Sequence, residues 1–174
     1  MCVMEFVKIQ PNEAEYVYRQ LEKCFIKDEL RDYDDYLTVL NDDAYLLAHI
    51  TLDGKRVGFV GLWQLNGFTF VEHFAIYEQL RGNGYGGMAI DALQRQFGKI
   101  VLEIEPPIEP DQIRRLHFYE RHGFTMNGFA YMQPSYRPNG NSLPLKLMSF
   151  PDEISDHVSV ISEIYKKVYK VIQE

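Results

Sequence analysis

The chain alternates short apolar runs with amphipathic stretches whose apolar positions recur every three or four residues, and most changes of period fall at glycine, proline or asparagine. Residues 3–9 read as a strand that stops at Pro11-Asn12. Residues 13–25 carry Ala14, Val17, Leu21 and Phe25 at helical spacing, and residues 33–40 predict a second, shorter helix. Two apolar strands, 45–51 and 56–63, flank Asp53-Gly54-Lys55, a hairpin turn in which Gly54 supplies positive φ. After a turn at 64–67 the pattern predicts a strand over 68–77. A helix from Gly84 then buries Ala89, Ile90, Leu93 and Phe97 on one face and ends at Gly98. Residues 100–104 return as a strand, which gives a right-handed crossover between parallel strands. A helix over 111–121, capped by Gly123, and strands near 125–132 and 143–150 follow.

Beyond Pro151, Ile154, Val158, Ile161, Tyr165, Val168 and Ile172 recur at spacings of four and three, which predicts one apolar stripe along a terminal helix. Residues 1–150 are therefore expected to form one domain. Residues 151–174 are expected to pack their stripe on that domain or at a homodimer contact; three heptads are too few for a coiled coil.

Composition narrows the class. With 174 residues, 46% of them apolar and 14% aromatic, the chain can bury a substantial core. A net charge of −7 argues against a nucleic-acid partner, which would need a basic face. Residues 1–10 lack the apolar core of a signal peptide, and no membrane span is legible. Two cysteines, Cys2 and Cys24, make no disulfide framework and suggest no metal, so the expected compartment is a reducing cytoplasm. Cys24 falls in a helical pattern and is read as core.

The chemistry concentrates in F-V-E-H-F-A-I-Y-E-Q-L-R-G-N-G-Y-G-G, residues 70–87. An apolar strand leads through Arg81 into Gly82, Gly84, Gly86 and Gly87, which open a helix. Such a loop presents backbone N–H groups and a positive dipole end to an anion, so a phosphorylated cofactor is expected. Gly82, Gly84 and Gly87 satisfy G-x-G-x-x-G, with Glu103 near the place of a ribose-binding acid. Four residues separate that glycine from the apolar run, however, and about 70 residues precede the unit. The pattern Q-x-x-G-x-G fits without strain.

Gln79-Leu80-Arg81-Gly82-Asn83-Gly84 after this strand resembles the acyl-CoA-binding motif of the GNAT superfamily of N-acetyltransferases, and Phe118-Tyr119-Glu120-Arg121-His122-Gly123-Phe124 is similar to its F-Y-x-x-x-G-F signature. Order and separation also agree. The resemblance implies an α/β (α+β) fold: a mixed, mostly antiparallel sheet of about six to seven strands with a splayed parallel pair, helices on both faces, and an extra C-terminal helix. It implies acetyl transfer from acetyl-CoA, without metal, to a primary amine, expected to belong to a small molecule, by direct attack in a ternary complex. A protein amine and a non-catalytic CoA-binding module are the alternatives.

Site residues follow from the same resemblance. Glu72 is the candidate base, on the reasoning that burial lifts its pKa toward neutrality; Glu103 and Glu105 are weaker candidates. His73, next to Glu72 in a strand, is expected to face the other way and pack. Main-chain donors around Phe74 and Ala75 would polarise the carbonyl, with pantetheine along Ala75 and Ile76. The pyrophosphate would meet N–H groups of Arg81, Gly82, Asn83, Gly84, Tyr85, Gly86 and Gly87. Tyr119 matches the general acid, a phenol near 10 facing a thiol near 8.5. Where the family often has asparagine and alanine, this chain has Gln112 and Arg115; Gln112 is assigned amide contacts with the cofactor, and Arg115 either phosphate or solvent. For the acceptor, residues 25–36 and 131–136 are the candidates. In the first, the acidic run 28–35 reads as a polycation site or a solvated helix terminus; in the second, Tyr131, Gln133 and Tyr136 line the pocket or finish the sheet.

Overall fold

A computed structural model describes residues 1–171. Its elements are β1 (Met4–Lys8), α1 (Ala14–Cys24), α2 (Tyr33–Val39), β2 (Tyr45–Leu52), β3 (Lys55–Leu65), β4 (Phe68–Ile76), α3 (Tyr85–Phe97), β5 (Ile100–Ile104), α4 (Pro110–Arg121), β6 (Thr125–Met126), β7 (Tyr131–Gln133), β8 (Leu143–Phe150) and α5 (His157–Lys167). The strands form one mixed sheet in the order β1-β2-β3-β4-β5-β8-β6, with β7 also paired to β8. It has eight strands rather than six or seven, because the stretch read as one strand over 125–132 breaks at Asn127. Asn127 turns its amide nitrogen to Leu147 O and Ser149 Oγ, and its carbonyl oxygen accepts from Ile154 N. Among the described residues no helix is long and apolar enough to cross a membrane.

Local chemistry sets the boundaries. Asp53 and Gly54 both take positive φ, 50° and 78°, the geometry of a two-residue hairpin between right-twisted strands. Gly84 caps α3 at φ 79°, a left-handed position that suits glycine. At the other end of the signature, Phe124 N–H donates to Tyr119 O and Gly123 N–H to Glu120 O, with Gly123 at φ 83°. This pair of bonds is a Schellman cap, and the Tyr119 and Phe124 rings, 5.5 Å apart, supply its apolar contact. The F-Y-x-x-x-G-F spacing is thus the length of one capped helical turn.

The sheet has a core on each face. Val17, Leu21, Tyr36, Phe59, Trp63, Phe70, Val101, Ile164 and Val168 join α1, α2 and α5 to one face; Val60, Leu62, Val71, Ile90, Leu93, Leu102, Tyr119 and Phe124 join α3 and α4 to the other. Most of the stripe read in the sequence does face the domain: Ile154, Ile161 and Tyr165 pack partly buried against the first core, beside residues the stripe did not include. Ile164, Val168 and Tyr169 are buried, whereas Val158 is exposed. Ile154 precedes α5, and Ile172 lies outside the described residues.

The strand arrangement opens the centre of the sheet. β4 and β5 pair in parallel only from Thr69 with Ile100 to Val71 with Leu102. Against β3, the register passes from Gly61 with Glu72 to Phe59 with Ala75, so β4 carries one extra residue there. Such a bulge bends its strand. Beyond Val71 the two parallel strands no longer pair with each other, while β4 stays with β3 and β5 with β8.

Candidate active site

The gap between β4 and β5 is the mouth of a cavity of about 640 Å³. Its lining runs from the loop at Arg81, Gly82 and Gly84, past Tyr119, to Glu72, Glu103 and Tyr136. The two parts belong to different faces of the sheet. Tyr119 sits with the α3 and α4 core, whereas Val101, and hence Glu103 two positions on, faces the α1, α2 and α5 side.

At the loop, Met88 N–H bonds to Gly84 O, which leaves the preceding N–H groups of α3 without helical acceptors. Gly82 stands at φ 80°, and a Cβ on Gly82 or Gly84 would meet nothing within 4 Å. The space is open to a ligand. Gly87 serves packing instead, since a Cβ there would come within 3.0 Å of the His122 ring. Arg81 Nε donates to Ile76 O at 3.1 Å, tying the loop to the end of β4. Asn83 does not line the cavity; its amide donates to Leu80 O at 3.0 Å and braces the turn.

Gln112 corrects the sequence reading. Its carbonyl oxygen accepts from Glu109 N at 2.9 Å and its nitrogen donates to Glu105 Oε2 at 2.9 Å, so it caps α4 rather than facing the cavity. Arg115 does line the cavity and lies 3.5 Å from Glu105 Oε1. Cys24, read as core, is half-buried in the cavity wall.

Glu72 is corrected more sharply. It is 3% exposed, and burial alone would raise its pKa. Arg31, itself 7% exposed, meets it with two N–H···O bonds of 2.8 and 3.0 Å. Tyr136 Oη donates to it at 2.6 Å and Trp63 Nε1 at 3.2 Å. Charge and hydrogen bonds outweigh burial and bring the carboxyl down to about 2. A carboxylate so held is a poor proton acceptor near neutrality. The Arg31 guanidinium also lies 4.7 Å from the Tyr136 ring and 5.6 Å from Trp63, which completes a buried clamp.

His73 shares this side, contrary to strict alternation. The extra residue in β4 reverses the parity: Phe70 and Ala75, five apart, both join the α1, α2 and α5 face. His73 takes φ 56°, uncommon for a non-glycine residue, and its Nδ1 lies 3.7 Å from Glu72 Oε1. Its Nε2 donates to Glu29 O at 2.6 Å. Desolvation lowers its pKa, offset in part by Glu72 and the Glu29 carbonyl.

Glu103 has the environment expected of Glu72. Burial pushes its carboxyl up to about 7, hydrogen bonding from Tyr169 and Tyr131 draws it partly back, and the charges of Glu72 and Glu29 add to the rise. Tyr169 Oη donates to Oε1 at 2.5 Å. Tyr131 lies close enough to favour the ionised form but short of hydrogen-bond geometry, and Oε2 has no partner among the described residues. Tyr119 is 8% exposed and lines the cavity, and no protein group among the described residues bonds its hydroxyl. Burial raises the phenol to about 12, against a small opposing effect of Arg115. It is protonated at any working pH, though further from a thiol near 8.5 than the sequence reading supposed.

Known proteins of similar sequence and structure give this architecture its class. The acetyltransferase (GNAT) family matches residues 14–124, and the chain belongs to that family. The structure is similar to a GNAT-family acetyltransferase, described as putative, from Bacteroides thetaiotaomicron, with a TM-score of 0.88 and 30% identity over 96% of this chain and 99% of that one. Arabidopsis thaliana NAA60, solved in complex with acetyl-CoA, has the same fold at a TM-score of 0.61 and 13% identity, covering 86% and 98% of the two chains. Among curated proteins, "Putative acetyltransferase YjbC" of Bacillus subtilis (strain 168) is 36% identical over 63 residues. That stretch is 35% of this chain and spans 33% of the relative's length.

Proposed function

We propose that the protein transfers the acetyl group of acetyl-CoA to a primary amine of a small molecule, in a ternary complex, with Glu103 as general base and Tyr119 as general acid. One observation carries the reading: a single cavity joins the open glycine loop of α3 to a carboxyl near neutrality and a phenol without a protein partner. The free N–H groups of Gly82 to Gly87 suit the diphosphate. Pantetheine fits the open edge of β4 along Phe74, Ala75 and Ile76, and main-chain donors at the bulge suit the developing oxyanion.

The chemistry divides between the two sides of the sheet. Glu103 accepts the proton of the amine, whose nitrogen attacks the thioester carbon; the N–C bond forms, the C–S bond breaks, and the thiolate leaves toward Tyr119. Tyr119 donates its phenolic proton to the departing thiolate and regains one from solvent, to which Glu103 releases the proton taken from the amine. Direct attack needs no acyl-enzyme, and Glu72, fixed by Arg31, shapes the acceptor side without accepting a proton. A reducing, cytoplasmic setting is consistent with both cysteines being free.

Screening primary amines for acetyl-CoA-dependent thiol release tests the proposal. The expected result is turnover that is strongly reduced in Glu103→Gln and in Tyr119→Phe. Binding of acetyl-CoA with no thiol release from any amine would reduce the protein to a cofactor-binding module.

A further inference from the structure

The chain after β8 does more than cover the sheet, because it bonds residues that form and brace the cleft wall. Val168 O accepts from Arg31 Nη2 at 3.0 Å, so the main chain at the end of α5 holds the third hydrogen bond of the buried clamp. One residue later Tyr169, 7% exposed, bonds Glu103 through its hydroxyl at 2.5 Å. Its ring lies 4.8 Å from that of Tyr136, which bonds Glu72, and the two hydroxyls are 3.4 Å apart. The two cleft carboxylates are therefore linked through two tyrosines, one of them from the terminal segment. Tyr165, in the last turn of α5, bonds Met132 O and fixes that segment against β7.

We propose that Val168 and Tyr169 are a working part of the acceptor side of the cleft, and that Tyr169 is a positioning residue that holds and orients the Glu103 carboxyl. The proposal rests on Glu103 as the base. A single donor on Oε1 leaves Oε2 as the free atom, so the hydroxyl decides which oxygen is available to a substrate proton. The alignment also sets how basic that oxygen is, because a donor to the charged form stabilises it. The groups facing Glu103 are Tyr131 of β7, Tyr165 and Tyr169 of the α5 segment, Tyr136, Glu72 of β4 and Glu29. Glu105, just past the end of β5, is engaged by Arg115 and Gln112. No cation directly opposes Glu103 in this set, so the Tyr169 hydroxyl, with Tyr131 as a weaker second, is the main counterweight to burial and like charge.

The test needs no turnover, which separates it from the acetyl-transfer reading. The Glu103 carboxyl is followed by carbon NMR in protein labelled at glutamate Cδ, with the resonance assigned through Glu103→Gln. Intact protein should titrate near 7, and Tyr169→Phe should raise the midpoint by about 1 unit, the order expected for losing one hydrogen bond to a charged group. An unmoved midpoint in folded Tyr169→Phe overturns the proposal. Should that variant fail to fold, 3-fluorotyrosine at 169 keeps the side chain and strengthens the donor; the midpoint should then fall, and a fixed one overturns the proposal equally. Undiminished thiol release by Glu103→Gln, alongside the expected midpoint shift in Tyr169→Phe, would count against Glu103 as base and leave the role of Tyr169 in place.

Discussion

Replacing Arg31 by methionine removes one side of the buried clamp and keeps most of its volume. The substitution deletes two bonds to Glu72, at 2.8 and 3.0 Å, and one to Val168 O at 3.0 Å. Glu72 is then left in the core with Tyr136 and Trp63 as donors and no opposing charge. Breaking a buried pair from one side costs about 3–5 kcal/mol, a large part of the roughly 5–15 kcal/mol that stabilises an ordinary domain. The pH dependence gives the sharper signature. In the intact protein Glu72 drops from 4.5 to about 2, so its contribution of about 3 kcal/mol is present above pH 4.5 and is lost as pH falls through 2. Without Arg31, burial dominates and the carboxyl rises above 4.5, which reverses the sign. The variant should be least stable at neutral and higher pH and recover relative to wild type toward pH 4. Urea denaturation at several pH values, followed by tryptophan fluorescence from Trp63, measures this directly. The double variant Arg31→Met with Glu72→Gln should regain much of the loss, because no buried charge remains unpaired. A destabilisation below about 1 kcal/mol that does not vary with pH would refute the clamp.

Three further outcomes are expected. The pH profile of kcat/KM should rise through about 7 as Glu103 ionises, and that limb should vanish in Glu103→Gln; an unchanged limb would place the base elsewhere. Tyr119→Phe should lower kcat by about 10²-fold or more with little change in acetyl-CoA affinity measured by calorimetry, and equal turnover would remove it from the mechanism. A Cβ at Gly58 would stand 2.1 Å from Ala75 O, so Gly58→Ala should distort β4 beside the bulge and destabilise the fold by about 1–3 kcal/mol in urea; wild-type stability would contradict that close approach.

The parts of the site that were legible in the sequence are those written in local spacing. Gly84 and Gly123 mark the start of α3 and the end of α4 because each needs left-handed backbone at a fixed distance from its helix. Tyr119 follows from the second. What local pattern cannot carry is a partner far along the chain. Arg31 sits in the run Asp28–Asp35 and looks like part of a solvated terminus, yet its partner Glu72 lies 41 residues away. With Arg31 placed, the predicted shift of Glu72 changes sign, and Glu103 takes its place as the proposed base. His73 was misplaced for a different reason: one inserted residue breaks the two-residue period. Tyr169 was missed because it falls just beyond α5, where helical spacing no longer says which side chains are buried. A lone tyrosine after the last basic turn is the only signal it leaves.

The central claim is that the loop at Arg81 to Gly87 holds a CoA diphosphate at the open end of the cleft. Titration calorimetry of the folded protein with acetyl-CoA tests it without knowledge of the acceptor. The account predicts saturable one-to-one binding well below about 1 mM, lost when Gly84→Val places a side chain where the φ of 79° disfavours it. No heat of binding for acetyl-CoA or CoA at millimolar concentration, in protein shown to be folded, would contradict it.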